Sequence, residues 1–319
     1  MRYVMIGAGA VGGTIGARLF QGGHDVLLVA RGAHHDALRT KGLRLVTPAE
    51  DTVLDIPVTD GPVPAGGDDV LIVATKSQHT LDALAGWPRE LPVICAQNGV
   101  SNENAVREAG FEHVYGMCVW LPAQNMEPGV VGANGHPHSG MLHVGLYPQG
   151  VDKLSEKVAE DLRDSGFVAR ATPDVMRWKY GKLLSNLGNA AEAVASGDIL
   201  PIVTRARDEA RAILDAAGIA YSTAEEEQEL RGHLVDFVPI DGIERGGGSS
   251  WQSLAKGAGS IESDYLNGEI VRVGGGVAPV NEVLRREANR FAEQGLPPSS
   301  MPAETLQALI DERSAAVSR

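Results

Sequence analysis

The chain has 319 residues, with 28 Lys and Arg against 41 Asp and Glu, a formal charge of −13 and an isoelectric point near 5.1. That length can bury a large core in two domains, and the acidic balance argues against nucleic acid or an anionic membrane as a partner. Its two cysteines, Cys95 and Cys118, sit in apolar stretches and supply no disulfide framework, which fits a reducing compartment.

The first strand, Arg2-Tyr3-Val4-Met5-Ile6, runs straight into Gly7-Ala8-Gly9-Ala10-Val11-Gly12 and then into helical composition over residues 13–21. This is G-x-G-x-x-G between a strand and a helix, the setting in which the motif signals a dinucleotide site. Gly7 allows the tight turn, Gly9 admits the pyrophosphate to the backbone, and Gly12 lets helix and strand approach. The phosphates would sit on N–H groups at the helix N-terminus, where the dipole favours negative charge. A second strand over residues 25–30 ends in Arg31, where an NAD-specific site carries a carboxylate for the ribose hydroxyl. A guanidinium suits a 2′-phosphate, so the expected cofactor is NADP(H). Because the first strand starts at once, no room is left for a signal peptide, and a cytoplasmic location is expected. No apolar run reaches the ~18 residues of a membrane span.

Further along, residues 69–74 read as a strand buried on both faces, followed by Lys76 and a helix over 78–87. Residues 92–95 form the next strand, followed by Gln97-Asn98-Gly99, and another strand is expected over 112–119. Lys76 and Asn98 thus follow strands at the edge where open α/β sheets bind ligands. Alternating, Gly-rich segments near Val130 and over 141–145 suggest antiparallel additions. A helix over 151–165 and a strand over 167–170 complete a doubly wound α/β domain. From Thr172-Pro173-Asp174, a good helix start, only helical stretches follow: 174–195, 201–217, 223–237, 261–273, 280–294 and 303–316. The expected division is therefore 1–171, a dinucleotide-binding domain, and 172–319, an all-helical domain, with the site where they meet. Gly246-Gly247-Gly248 and Gly274-Gly275-Gly276 read as flexible punctuation.

In the first of these helices Trp178, Lys182, Asn186 and Asn189 recur at spacings of four, four and three, on one side. Most of the remaining surface is apolar, so Lys182 is expected to be buried, where a lowered pKa would suit it as a general acid. Ser249-Ser250-Trp251 precedes a helix carrying Glu262 and Asp264; those two cannot share a helical face, which leaves Glu262 as a partner for Lys182. His34, His35, His136 and His138 lack metal-ligand spacing, and no metal is expected. No G-x-S-x-G elbow appears.

These residues together resemble the ketopantoate reductase (2-dehydropantoate 2-reductase) family. The resemblance rests on Gly7 to Gly12, Arg31, Lys76, Gln97-Asn98-Gly99, Lys182-Leu183-Leu184-Ser185-Asn186, Ser249-Ser250, the Ile261-to-Gly268 block and Pro279-Val280-Asn281. It implies a Rossmann-type domain, a helical domain, and NADPH-dependent reduction of a 2-oxo acid, 2-dehydropantoate, to the 2-hydroxy acid. It also implies that Lys182 is the general acid and that Glu262 hydrogen-bonds substrate and positions the lysine near the cofactor. Asn98, Asn186 and Asn189 would orient substrate or cofactor, Ser250 would touch the substrate carboxylate, and Arg31 and Lys76 would meet NADPH. A homodimer through the helical domain is expected. The chain departs from the family pattern in places: Ala190 stands where a second asparagine is common, Leu254 where an acidic residue is, and the Gly-rich run before Ser249 and Val119-Trp120-Leu121-Pro122 are also unlike it. They leave open a reductase of the same family with another carbonyl or imine substrate. A non-catalytic NADP(H) sensor is the rival of another class, disfavoured because Lys182, Asn186 and Glu262 are all present.

Overall fold

The computed structural model describes residues 1–242 and 246–317. Its body is an eight-stranded sheet in the order Val168–Ala171, Met141–Leu146, Val114–Trp120, Val93–Cys95, Asp69–Val73, Arg2–Ile6, Asp25–Val29, Val58–Thr59. All neighbours run parallel except Val114–Trp120 and Met141–Leu146, which pair antiparallel. The continuous apolar runs follow from burial on both faces. Tyr3 and Met5 enter one core with Val26 and Ile72, while Val4 and Ile6 enter the other with Leu71 and Val73. That alternation is the two-residue period of a strand feeding two layers at once.

The alternating segment near Val130 belongs to a separate four-stranded sheet, ordered Asp51–Leu54, Leu43–Val46, Val130–Ala133, Ala123–Glu127. Val130–Ala133 is antiparallel to Ala123–Glu127, as its pattern suggested, but parallel to Leu43–Val46. Met141–Leu146 is the antiparallel addition to the main sheet, and Val168–Ala171 closes its edge.

Among the described residues the chain forms two compact units. Residues 1–98, 102–179 and 222–242 make the first, and residues 99–101, 180–221 and 246–317 the second. The division falls inside the helix Val175–Asn186, between Lys179 and Tyr180. Residues 223–237 were expected to be one helix. Instead Ala224–Arg231 is helical, started by a reciprocal cap between Thr223 and Glu226, and stops at Gly232 with φ +47°. Val235–Phe237 then pairs antiparallel with Gly135–Pro137. A distant strand partner outweighs local helical composition there.

The second unit is helical apart from a two-residue strand pair, Ala195–Ser196 with Met301–Pro302. Its core gathers Ala190, Ala191, Val194, Ile202, Val203, Leu254, Val283, Leu284, Phe291 and Leu306. Two expected helices are broken: residues 174–195 divide at Leu187, and residues 261–273 become a 3-10 turn, Glu262–Tyr265, and a helix, Asn267–Val273. No helix among the described residues is long and apolar enough to cross a membrane.

Candidate active site

The three glycines of the first turn are each required for a different reason. Gly7 has φ +98°, and a Cβ there would stand 2.8 Å from Thr75 Cγ2. A Cβ on Gly12 would meet the Gly7 carbonyl oxygen at 2.1 Å and Ala74 Cβ at 2.9 Å, so only glycine lets this helix pack. A Cβ on Gly9 would meet nothing within 4 Å. The space a side chain would fill is open, beside the start of the twelve-residue helix Ala10–Gln21, which no side chain caps. An open backbone at an uncapped helix start suits a dinucleotide pyrophosphate, so the residues present fit that cofactor. Ala8 is buried and Ala10 and Val11 are half-buried around it.

Gly7 and Ala8 both donate their N–H to the Val29 carbonyl, at 3.0 and 3.3 Å, which fixes the turn against the neighbouring strand. His34 fixes it from the other side. Gly129 N–H donates to His34 Nδ1 at 3.0 Å, so the ring proton lies on Nε2, which donates to the Ala8 carbonyl at 2.8 Å. Both ring nitrogens of this histidine therefore serve the glycine turn. Sequence reading had weighed it only as a metal ligand; its place just after Arg31 was the available signal.

The other first-unit candidates leave the same sheet edge. Ile6 is opposite both Val29 and Val73, and Val73 is opposite Cys95. Gly7, Arg31, Lys76 and Asn98 thus follow the carboxyl ends of four adjacent strands. The chain reverses its direction of travel across the sheet at Arg2–Ile6, which makes this edge the topological switch point. Arg31 is exposed as the first residue before the helix Gly32–Lys41, and Lys76 and Asn98 are half-buried. A buried network holds the last two loops: Gln97 Nε2 donates to Thr80 Oγ1 at 2.6 Å, and Asn102 Nδ2 donates to the Asn98 carbonyl at 3.0 Å.

The helix Val175–Asn186 buries a different lysine from the one expected. Lys179 is 3% exposed and ion-paired with the fully buried Glu103, whereas Lys182 is only half-buried. Helical phase explains the difference, since three residues turn the side chain by ~60° short of a full circle. Neither Lys179 nor Glu103 had been singled out in the sequence; a lysine and a glutamate 76 positions apart carry no local signal.

Lys182, Asn186, Asn189, Ser250 and Glu262 all lie in the second unit. Asn186, Ser250 and Glu262 are buried, and Asn189 is half-buried. The interruption after Asn186 leaves helix carbonyls that side chains must satisfy. Arg207 donates to the carbonyls of Leu184 and Ser185 at 3.2 and 3.1 Å, and Asn267 Nδ2 donates to that of Leu187 at 3.2 Å. Asn267 also donates to Asn281 Oδ1 at 2.9 Å, and Asn281 donates to Glu209 at 2.8 Å. The Lys182 helix and the Glu262 segment are therefore tied to one polar cluster. Leu187 itself keeps helical dihedrals, φ −61° and ψ −23°, and its N–H donates to the Leu183 carbonyl at 3.1 Å, so the chain runs on helically to Asn189. Asp264 turns away to Arg285 and Asn289, at 3.1 and 2.9 Å, which leaves Glu262 the buried carboxylate of the two.

Ser249 and Ser250 begin a helix of their own, Ser249–Ala255, rather than preceding one. The glycines before it are packing residues and not loose punctuation. A Cβ on Gly246 or Gly247 would stand 2.3 or 2.7 Å from Trp251, and one on Gly248 would stand 2.5 Å from Glu192 Oε2. Trp251 Nε1 donates to Ser299 Oγ at 3.2 Å, which keeps the indole over that backbone. Ala190 and Leu254, two of the departures from the family pattern, are both buried in the apolar core of this unit.

A mostly parallel sheet with an open glycine turn at its switch point is the architecture of a dinucleotide-binding domain. Residues 3–149 match the family model "Ketopantoate reductase PanE/ApbA". The 2-dehydropantoate 2-reductase of Pyrococcus abyssi is 29% identical over 297 residues, spanning 89% of this chain and 95% of that protein. The enzyme of the same name from Pyrococcus horikoshii is 32% identical over 189 residues, 58% of this chain and 61% of that protein. A PanE/ApbA family ketopantoate reductase from Ralstonia eutropha superposes with a TM-score of 0.75 at 25% identity, covering 92% of this chain and 99% of that one. D-mandelate dehydrogenase with NADH and anilino(oxo)acetate shares the fold, with a TM-score of 0.77 at 22% identity over 93% of this chain and all of that one. Residues 3–149 thus carry a ketopantoate reductase domain, and most of the chain is similar to 2-dehydropantoate 2-reductases, which are oxidoreductases.

Proposed function

We propose that the protein reduces 2-dehydropantoate to the 2-hydroxy acid with NADPH. The observation that carries this reading is the similarity to 2-dehydropantoate 2-reductase along 89% of the chain. On this reading the first unit holds the dinucleotide. Gly7 to Gly12 meet the pyrophosphate, and Arg31, with Lys76 nearby along the same edge, meets the 2′-phosphate. The bound nicotinamide supplies the hydride. Lys182 stabilises the negative charge growing on the carbonyl oxygen and then gives it a proton, an interaction strongest in the transition state. Glu262 accepts a hydrogen bond from substrate and orients the lysine. Ser250, with Asn98, Asn186 and Asn189, holds the acid in place.

Ala190 and Leu254 fall in the apolar core of the second unit, which is compatible with 2-dehydropantoate, and the rival is another carbonyl or imine substrate. NADPH oxidation in the presence of 2-dehydropantoate, pyruvate, 2-oxoisovalerate and a cyclic imine tests this. Preference for 2-dehydropantoate is expected. Tight NADPH binding with turnover of another member would overturn the substrate and keep the cofactor; no turnover at all would return the sensor reading. A cytoplasmic homodimer joined through the helical unit completes the proposal, and light scattering of the purified protein tests the dimer.

A further inference from the structure

Within the first unit, Glu103 opens the helix Asn102–Glu108 and pairs with Lys179 of the helix Val175–Asn186. All three ammonium hydrogens have acceptors: the Glu103 carboxylate, the Gln97 carbonyl at 3.1 Å and the Cys95 carbonyl at 3.4 Å. Room for the pair comes from Gly116 on the adjacent strand, where a Cβ would stand 3.1 Å from Val175, 3.4 Å from Glu103 Oε1 and 3.5 Å from Lys179 Cδ. Glu103 Oε2 is buried without a hydrogen-bond partner among the described residues.

Stability alone does not account for this arrangement. A buried ion pair seldom outperforms apolar side chains of the same size, and an orphaned carboxylate oxygen is a further cost. What the charge can do, and an apolar pair cannot, is grip two backbone carbonyls. Those carbonyls belong to the last residue of the strand Val93–Cys95 and to the residue just before Asn98. From the opposite side Asn102 holds the Asn98 carbonyl and Thr80 receives the Gln97 side chain. Four hydrogen bonds thereby hold the strand-end loop.

We propose that Lys179 and Glu103 are a positioning pair: by setting the Cys95 and Gln97 carbonyls, they aim Asn98 at the ligand bound along the strand ends. The inference rests on the reading of Asn98 given under Proposed function. Neither member of the pair touches substrate; both act through the loop.

The test uses the full chain. Lys179→Met alone would strand a buried carboxylate and is expected to fold poorly. The deciding variant is therefore Lys179→Met with Glu103→Leu, compared with Asn98→Ala and with the triple variant. Tm, NADPH affinity by fluorescence, kcat and KM are measured for each. The double variant is expected to match or exceed the native Tm while kcat falls ~10-fold or more, since small misplacements in a site are costly. The triple variant should be no slower than Asn98→Ala, because the pair acts through that residue. Glu103→Gln leaves the buried ammonium without its counter-charge and is expected to lower Tm, but it keeps an acceptor for Lys179, so well below that Tm it should stay within ~3-fold of native kcat.

A folded double variant with native kcat and KM, or losses that add in full to those of Asn98→Ala, overturns the proposal. So does a Glu103→Gln variant as slow as the double. Native behaviour of Asn98→Ala would instead sink the reading of Asn98 itself, whereas an impaired Asn98→Ala beside a native-like double variant removes only the positioning role.

Discussion

Lys179 and Lys182 lie three residues apart on one helix, and their surroundings separate their work. Lys179 is sealed against Glu103 and two carbonyls, so its protons are committed to holding structure. Lys182 is half-buried, which leaves it the member of the two that a substrate can meet. Lys182→Ala is expected to cut kcat by ~10²-fold or more while NADPH affinity stays within ~2-fold, the signature of a lost general acid. Turnover that survives this change would remove Lys182 from the mechanism. On the proposed reading Arg31 carries the cofactor preference. Arg31→Ala should weaken NADPH binding by ~10-fold or more and NADH binding little, because the lost charge-assisted pair involves only the 2′-phosphate. Equal losses for both dinucleotides would exclude that role.

At the scale of elements, the sheet edge and the broken helices show how local sequence and distant contacts divide the work. The strand Arg2–Ile6 and the glycine turn were legible because apolar run, glycine spacing and helix start agree over a few residues. Asp69–Val73 was legible for the same reason. The breaks at Leu187 and Leu266 were not, since the side chains that satisfy the freed carbonyl at Leu187 arrive from Asn267, 80 positions on. The glycine run before Ser249 read as flexible because the Trp251 ring over it is a tertiary fact. Gly247→Ala should push that ring aside. We expect a loss of about 1–3 kcal/mol, typical of overpacking, a shifted tryptophan emission, and a higher KM for the 2-oxo acid at unchanged NADPH affinity. An unaltered KM would show that this turn does not support the neighbouring Ser250.

For the whole molecule, His143 links packing to pH. It is 1% exposed and edge-on to Trp120 and Trp178 at 5.5 and 5.4 Å. Burial, reinforced by Arg170, lowers its pKa from 6.5 to about 4. The unfolded chain therefore binds a proton that the folded one refuses between those values. Stability is whole above pH 6.5 and falls as the pH drops toward 4, by about 3 kcal/mol for the full interval. His143→Phe should flatten the decline between pH 6.5 and 5, where most carboxylates are silent; denaturant midpoints across that range check it. A slope identical to the native one would show that His143 is charged or solvated in the folded state.

Short-range information in the sequence was enough to determine the dinucleotide turn, the strands beside it, the arginine after the second strand and the helical character of the second half. Each depends on residues a few positions apart, where composition and period express the physics directly. Only tertiary structure decided that residues 235–237 return to the first unit as a strand, and that His34 serves the glycine turn. The same holds for Lys179, which rather than Lys182 is the lysine sealed in the interior. Those outcomes depend on partners tens of positions away, and on which side of a helix meets them, and no local pattern encodes either.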